Sequence, residues 1–316
     1  MSTLIEVSHL KKYFSSPAGT VHAVDDVSFR IEEGKTLGVV GESGCGKSTL
    51  GRTVLHLTDS TDGRIFFDGK DITHVSKKEL RALREEMQII FQDPFSSLNP
   101  RMSIRQAIAD PLKNAKRFKR DEIEAKVDEL MDLVGLPPRL ANLYPHELDG
   151  GRRQRIVVAR AMALNPRFVV CDEPVSALDV SIQAQILNLM MDLQDKLHLT
   201  YIFITHDLSV VRHISQEICV MYLGQVVEQC STEGLFNNPI HPYTRALLSA
   251  VPVPDVHAEV KPILLQGEIV SPINPAPGCR FAARCPHRTE ACSGPQPLTE
   301  KEPGHLVACC RAGEIG

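Results

Sequence analysis

The chain of 316 residues has no apolar run approaching the roughly 18 residues that a bilayer-spanning helix needs, which excludes a helical channel or anchor. It also lacks a surplus of positive charge. Its 35 Lys and Arg stand against 39 Asp and Glu, a formal net charge of -4, which argues against a nucleic-acid partner held mainly through phosphates. The N-terminus, Met-Ser-Thr-Leu-Ile-Glu-Val, carries an acidic residue where a secretion signal has a basic region followed by an apolar stretch, so a cytoplasmic location is expected. In that reducing compartment the nine cysteines are not a disulfide framework; each is a small buried hydrophobe or a metal ligand. No internal repeat or low-complexity tract is present. What remains, 43% hydrophobic and 23% charged, is a globular composition with room for one large domain and a smaller one.

The most informative stretch that is present is Gly41-Glu42-Ser43-Gly44-Cys45-Gly46-Lys47-Ser48-Thr49. It follows a short apolar run, Lys35 to Val40, that reads as a buried strand, and it leads into an expected helix from Ser48 to Leu55. A glycine-rich loop between strand and helix turns backbone N–H groups inward around phosphates, and the helix N-terminus adds positive potential. Gly41, Ser43, Gly44, Cys45, Gly46, Lys47, Ser48 and Thr49 are therefore candidate nucleotide-binding residues. Lys47 reaches the terminal phosphates, and the Ser48 hydroxyl is offered to Mg²⁺.

Residues 3 to 31 alternate apolar and polar side chains on either side of a turn at Ser15 to Gly19, as antiparallel strands do, and a further strand is expected between turn signals at Asp62-Gly63 and Asp68-Gly69. From about Ser103 to Val134 the apolar residues recur at helical spacing, marking an inserted helical section within about 100–150. Arg167 to Cys171, Thr200 to Thr205 and Glu217 to Leu223 read as buried parallel strands separated by helical patterns such as Ile182 to Leu197. That alternation calls for an α/β sheet. Beyond Leu247 prolines become frequent, and a boundary is expected near residue 250, between a domain 1–250 and an extension 251–316.

Cleavage of a nucleotide also needs a metal-holding acid, a base for water and a group that senses the γ-phosphate. Asp172 and Glu173 end an apolar strand, where ligands converge in open sheets. Asp172 suits Mg²⁺ support and Glu173 the general base, while Gln92 and His206, each just after an apolar run, suit the metal or attacking water and the γ-phosphate respectively. Taken together with Leu148-Asp149-Gly150-Gly151-Arg152 and Ser176-Ala177-Leu178-Asp179, these residues resemble the ATP-binding subunits of ABC transporters. Phe91-Gln92-Asp93-Pro94, Tyr144-Pro145-His146-Glu147 and His241-Pro242-Tyr243-Thr244 look like the branch that imports dipeptides and oligopeptides, and that also includes nickel and some sugar importers.

The resemblance implies an α/β P-loop NTPase fold of the ABC type: a RecA-like mixed sheet, an antiparallel β layer, a helical subdomain and a small Cys-containing C-terminal domain. It implies ATP hydrolysis powering import at the cytoplasmic face of the membrane, with two permease subunits and, indirectly, an extracytoplasmic peptide-binding protein. It further implies that two ATPase subunits close head to tail, with ATP between one phosphate loop and the other's Asp149, Gly150 and Gly151, that Tyr13 stacks on adenine, and that Asp179 belongs to the site. A soluble ABC ATPase acting on nucleic acid or ribosomes would be favoured by a coiled-coil insertion or a second ATP-binding half, and neither is present. A P-loop kinase would not need the loop at 148 to 152.

Two residues depart from the pattern: the family usually has Ser where this chain has Asp149 and Gln where it has Arg152. A carboxylate near a γ-phosphate is repelled. Asp149 is therefore expected to turn away and cap the helix that follows. Two readings follow: a weakened site on this subunit, and with it an unlike, paralogous partner, or a harmless variant of this branch whose role is the cap.

Five cysteines, Cys279, Cys285, Cys292, Cys309 and Cys310, crowd the last 38 residues. Their intervals of five, six and sixteen intervening residues fit common zinc modules poorly. Four thiolates on a loop suit a [4Fe-4S] cluster better, and the resemblance supports Cys279, Cys285, Cys292 and Cys309 as its ligands, with Cys310 as a substitute. Free thiols in a mobile tail are the alternative. Cys171 and Cys219 lie in apolar strands and read as packed side chains.

Overall fold

The structure is a computed structural model that describes residues 2–251, 262–265, 267 and 271–314. The chain divides into two compact units, one formed by 1–74 and 203–316 and the other by 75–202.

In the first unit the alternating N-terminal residues form the strands Thr3–Ser16 and Gly19–Glu32, paired antiparallel with Val7 opposite Phe29 and Ser16 opposite Gly19. Asp62–Phe67 adds to the other edge of Thr3–Ser16, placing Ile5 opposite Phe67 and Val7 opposite Ile65, and Lys70–Asp71 completes a four-stranded antiparallel layer. Its Ile5, Val7, Leu10, Val27 and Ile65 are buried, which is the physical meaning of the period of two. A second sheet contains the fully buried Thr36–Val40, parallel to Glu217–Tyr222, which in turn pairs antiparallel with Gln225–Ser231. This mixture of parallel and antiparallel pairs matches the mixed sheet expected.

The described residues of the C-terminal segment group with the first unit. His305–Val307 pairs antiparallel with Gln225–Ser231, and Thr299–Glu302 pairs with His305–Val307 at the sheet edge. Phe281 is buried against Tyr222 and Tyr243, with ring centroids 5.3 Å and 5.5 Å away, so the segment shares an existing core instead of needing one. Residues 252–261, next to the expected boundary, lie outside those described.

In the second unit Met87–Ile90 and Phe168–Asp172 run parallel, with Met87 opposite Phe168 and Ile90 opposite Cys171. The inserted section forms the helices Ile104–Ala115 and Arg120–Leu133. Ser103 and Gln106 exchange side-chain and backbone hydrogen bonds at the start of the first, a capping box that fixes where it begins. Ser76 and Glu79 do the same for Lys77–Glu86, a helix the periodicity did not reveal although its cap is written in the sequence. Gly150–Met162 and Val180–Leu197 complete the principal helices described in this unit.

Candidate nucleotide site

The loop at 41 to 49 is shaped by backbone crowding. Gly46 has φ 106°, and a Cβ there would lie 2.0 Å from the carbonyl oxygen of Ala23; at Gly41, φ 149°, it would lie 2.2 Å from that of Met221. Only glycine fits both positions. Gly46 precedes the helix Lys47–Val54, whose N-terminus no side chain caps, so its field is available to an anion. Lys47 is buried, and its Nζ donates to the carbonyl oxygens of Gly41 at 2.7 Å and Glu42 at 2.9 Å, holding the ammonium inside the curl of the loop. Ser43 and Gly44 are exposed at its rim. Burial pushes the Cys45 thiol up, against the pull of the Lys47 charge, so this cysteine is a packed neutral group.

Tyr13 stacks on His22 with centroids 4.0 Å apart, and its hydroxyl donates to Asp25. Burial and the hydrogen bond to Asp25 both raise the phenol, which stays protonated. Burial alone would raise the Asp25 carboxyl, but the bond from Tyr13 and the Arg280 guanidinium outweigh it and hold Asp25 below the usual carboxylate range. His206 is exposed and follows Thr205, whose N–H donates to Val39 O at 3.2 Å, so it leaves the sheet beside the strand that feeds the phosphate loop.

The second unit carries the carboxylates. Asp172 is buried at the end of Phe168–Asp172, and Glu173 follows with φ 49°, a left-handed conformation that turns the chain sharply. Gln92 Nε2 donates to Glu173 Oε2 at 3.0 Å. Asp149 caps the helix Gly150–Met162, accepting from Arg152 N–H at 2.8 Å with the Arg152 guanidinium 3.4 Å away. The helix starts directly after Asp149, so Gly150 and Gly151 lie in its first turn. A Cβ on Gly151 would lie 2.7 Å from Ile182 Cγ2, which explains its smallness by packing. Asp179 precedes Val180–Leu197 as its N-terminal cap residue without a side-chain capping bond. Gln92, Asp149, Gly150, Gly151, Asp172, Glu173 and Asp179 thus belong to the second unit, while Tyr13, the phosphate loop and His206 belong to the first.

Of the C-terminal cysteines, Cys292 Sγ lies 3.8 Å from Cys310 Sγ, and Cys279 N–H donates to Cys292 O at 2.8 Å. The close thiol contact is made by Cys310 rather than Cys309. Burial, reinforced by the neighbouring thiols of Cys292, Cys309 and Cys285, pushes Cys279 up to about 11. Among the described residues no three Cys, His, Asp or Glu side chains are already grouped as a metal site. Cys171 and Cys219 are fully packed, as expected.

Sequence reasoning missed Asp25, which meets Tyr13 from the neighbouring strand, and Arg280, Arg284 and Tyr243, which reach Asp25 and the loop from far along the chain. Tyr243 Oη accepts from Glu42 N–H at 2.9 Å, and only its motif context marked it.

The family pattern described as "ABC transporter" matches residues 24–176, and that described as "Oligopeptide/dipeptide transporter, C-terminal region" matches 227–292. Oligopeptide transport ATP-binding protein AppF of Bacillus subtilis is 51% identical, with 97% of each chain covered. Oligopeptide transport ATP-binding protein OppF of Escherichia coli is 50% identical, covering 98% of this chain and 94% of its own. The solved structure of cbiO1 from Clostridium perfringens, part of the ABC transporter complex cbiONQ, superposes with a TM-score of 0.68 at 29% identity over 75% of this chain and 92% of its own.

Proposed function

The chain belongs to the ATP-binding subunits of ABC transporters, in the oligopeptide and dipeptide branch, and from that premise we propose that it hydrolyses ATP to drive peptide import. The observation that carries this reading is the phosphate loop, with Lys47 drawn inside its curl at an uncapped helix N-terminus. Binding of ATP transfers the Lys47 ammonium from the carbonyls of Gly41 and Glu42 to the terminal phosphates. Ser48 in the first unit, and Gln92 and Asp172 in the second, would each offer an oxygen donor of the kind Mg²⁺ takes, and the ion would supply positive charge to the phosphates. Glu173, held by Gln92, is the second unit's base for the attacking water, and His206 is the first unit's group for the γ-phosphate.

Tyr13 takes the adenine face, and a second ATPase subunit closes the site with its own loop equivalent to Asp149, Gly150 and Gly151; Asp179 is a further candidate of the nucleotide machinery. Because Asp149 is committed to its own helix, this chain offers the partner backbone N–H groups of Gly150 and Gly151 and no serine hydroxyl. That deficit supports an unlike, paralogous partner. The pair works with two permease subunits and, through them, an extracytoplasmic peptide-binding protein. Among the described residues no helix is long and apolar enough to cross a membrane, which fits a peripheral subunit at the cytoplasmic face. Cys279, Cys285 and Cys292 with Cys309 or Cys310 supply a thiolate set of the kind that holds a [4Fe-4S] cluster, which when bound would tie together a proline-rich segment.

The test is Glu173→Gln in the assembled transporter. Binding of ATP persists, hydrolysis falls by at least about 100-fold, and the two ATPase subunits accumulate as an ATP-bound pair. Undiminished hydrolysis by an isolated single subunit carrying Glu173→Gln would sink the reading.

A further inference from the structure

Two arginines of the C-terminal segment touch residues of the nucleotide-binding elements within the first unit. Arg284 Nη1 donates to Glu42 Oε2 at 2.7 Å. Glu42 is the second residue of the phosphate loop; its N–H is fixed on Tyr243 Oη at 2.9 Å and its carbonyl accepts from Lys47 Nζ at 2.9 Å. Arg280 donates to Asp25 Oδ2 and to the carbonyl oxygen of Leu223. The same Asp25 accepts from the Tyr13 hydroxyl and lies 3.4 Å from His22 Nδ1, on whose ring Tyr13 is stacked. The arginine side chains are only 6% and 10% exposed, so both charges are largely withdrawn from water and committed to these partners.

Docking of the segment does not require them. Phe281, between the two arginines, is buried against Tyr222 and Tyr243, and His305–Val307 is hydrogen-bonded into the sheet. Asn274 N–H donates to Thr20 O at 2.8 Å, and Pro272 O accepts from His22 N–H at 3.0 Å, gripping the strand that carries His22 and Asp25. Buried ion pairs add little net stability beyond such packing, while they fix geometry and sign of charge. At Glu42 the sign matters, because an unpaired carboxylate in the loop repels a triphosphate.

We propose that Arg284 and Arg280 are positioning residues of the ATP site. Arg284 acts through Glu42 on the loop that takes the phosphates, and Arg280 acts through Asp25 on the Tyr13 ring that takes the base. The inference rests on the ATP-binding reading above. It makes the C-terminal segment a working part of the nucleotide site, with one contact for each end of the ligand.

Titration of the full chain with Mg-ATP and with magnesium tripolyphosphate, which has the phosphates and no base, separates the two roles. Arg284→Gln weakens both ligands on the order of tenfold, and Arg284→Lys recovers most of the loss. Arg280→Gln weakens ATP on the order of threefold or more and leaves tripolyphosphate unchanged. Adding Glu42→Gln to Arg284→Gln recovers affinity for both ligands, because the repelling charge is gone. Wild-type affinities in both Gln variants, equal losses for the two ligands in Arg280→Gln, or no recovery with Arg284→Lys would overturn the assignment. A wild-type chain that binds neither ligand would instead overturn the ATP-binding reading itself.

Discussion

Gln92 donates its amide N–H to the carboxylate of Glu173 across 3.0 Å, although the two residues come from different strand ends, after Met87–Ile90 and Phe168–Asp172. The parallel pairing of those strands sets their ends side by side. The amide gives the carboxylate a fixed orientation, which suits the general-base role proposed for Glu173.

Removing that hold lowers turnover more than binding. Gln92→Ala reduces kcat of the assembled ATPase by ~10- to 100-fold with a smaller change in KM for ATP. Steady-state ATP hydrolysis checks this, and an unchanged kcat would remove Gln92 from the catalytic set.

Asp149 serves its own helix. Asp149→Ala leaves the N–H of Arg152 without its acceptor and lowers stability by about 1 kcal/mol, whereas Asp149→Ser retains a cap and loses much less. Chemical denaturation compares the two. In the assembled transporter Asp149→Ser also restores a hydroxyl donor and raises ATP turnover; an unchanged rate would contradict a weakened site.

The C-terminal thiols are tested by anaerobic purification. Visible absorption with iron and acid-labile sulfide at about four atoms each per chain is expected, and Cys292→Ser abolishes it. A colourless chain carrying stoichiometric zinc would end the cluster assignment.

His241 gives a pH signature of the folded first unit. Its Nδ1 accepts from Tyr243 N–H at 3.1 Å, and burial holds the ring neutral down to about 4, with the Glu228 charge pulling the other way. The unfolded chain protonates this ring near its ordinary value of about 6.5. Between those values the unfolded state binds more protons, so stability is present above about 6.5 and is lost as pH falls toward about 4, by at most about 3 kcal/mol. Glu228 adds to the loss at lower pH. It is buried, yet bonds from His305, Thr244 and the N–H groups of Ile240 and His241 hold its carboxyl below its ordinary range, so its contribution fades as that carboxyl protonates. Unfolding midpoints at pH 7.5 and 5 check this, and His241→Asn flattens the slope between them.

Much of the fold was legible because its signals are local. The strand Thr36–Val40, the loop and the helix Lys47–Val54 differ by one residue at their bounds from the reading of the sequence, since period, glycine and helix start all lie within a few positions. The capping role of Asp149 was legible for the same reason: a cap and its N–H are three residues apart. The extension 251–316 was less legible, because proline frequency describes the want of a private core and says nothing of a shared one. Phe281 and His305–Val307 found theirs on strands formed much earlier in the chain.

The sequence by itself determined the chemistry of this protein: a glycine-rich phosphate loop between strand and helix, carboxylates at a strand end, and a motif order that marks the transporter family. Tertiary structure alone decided that Arg280 meets Asp25 and Arg284 meets Glu42, partners 255 and 242 positions away. Backbone geometry constrains neighbours in sequence and so leaves a pattern there. An ion pair between distant residues needs only two charges brought together by packing, and two charges among many carry no mark of which will meet.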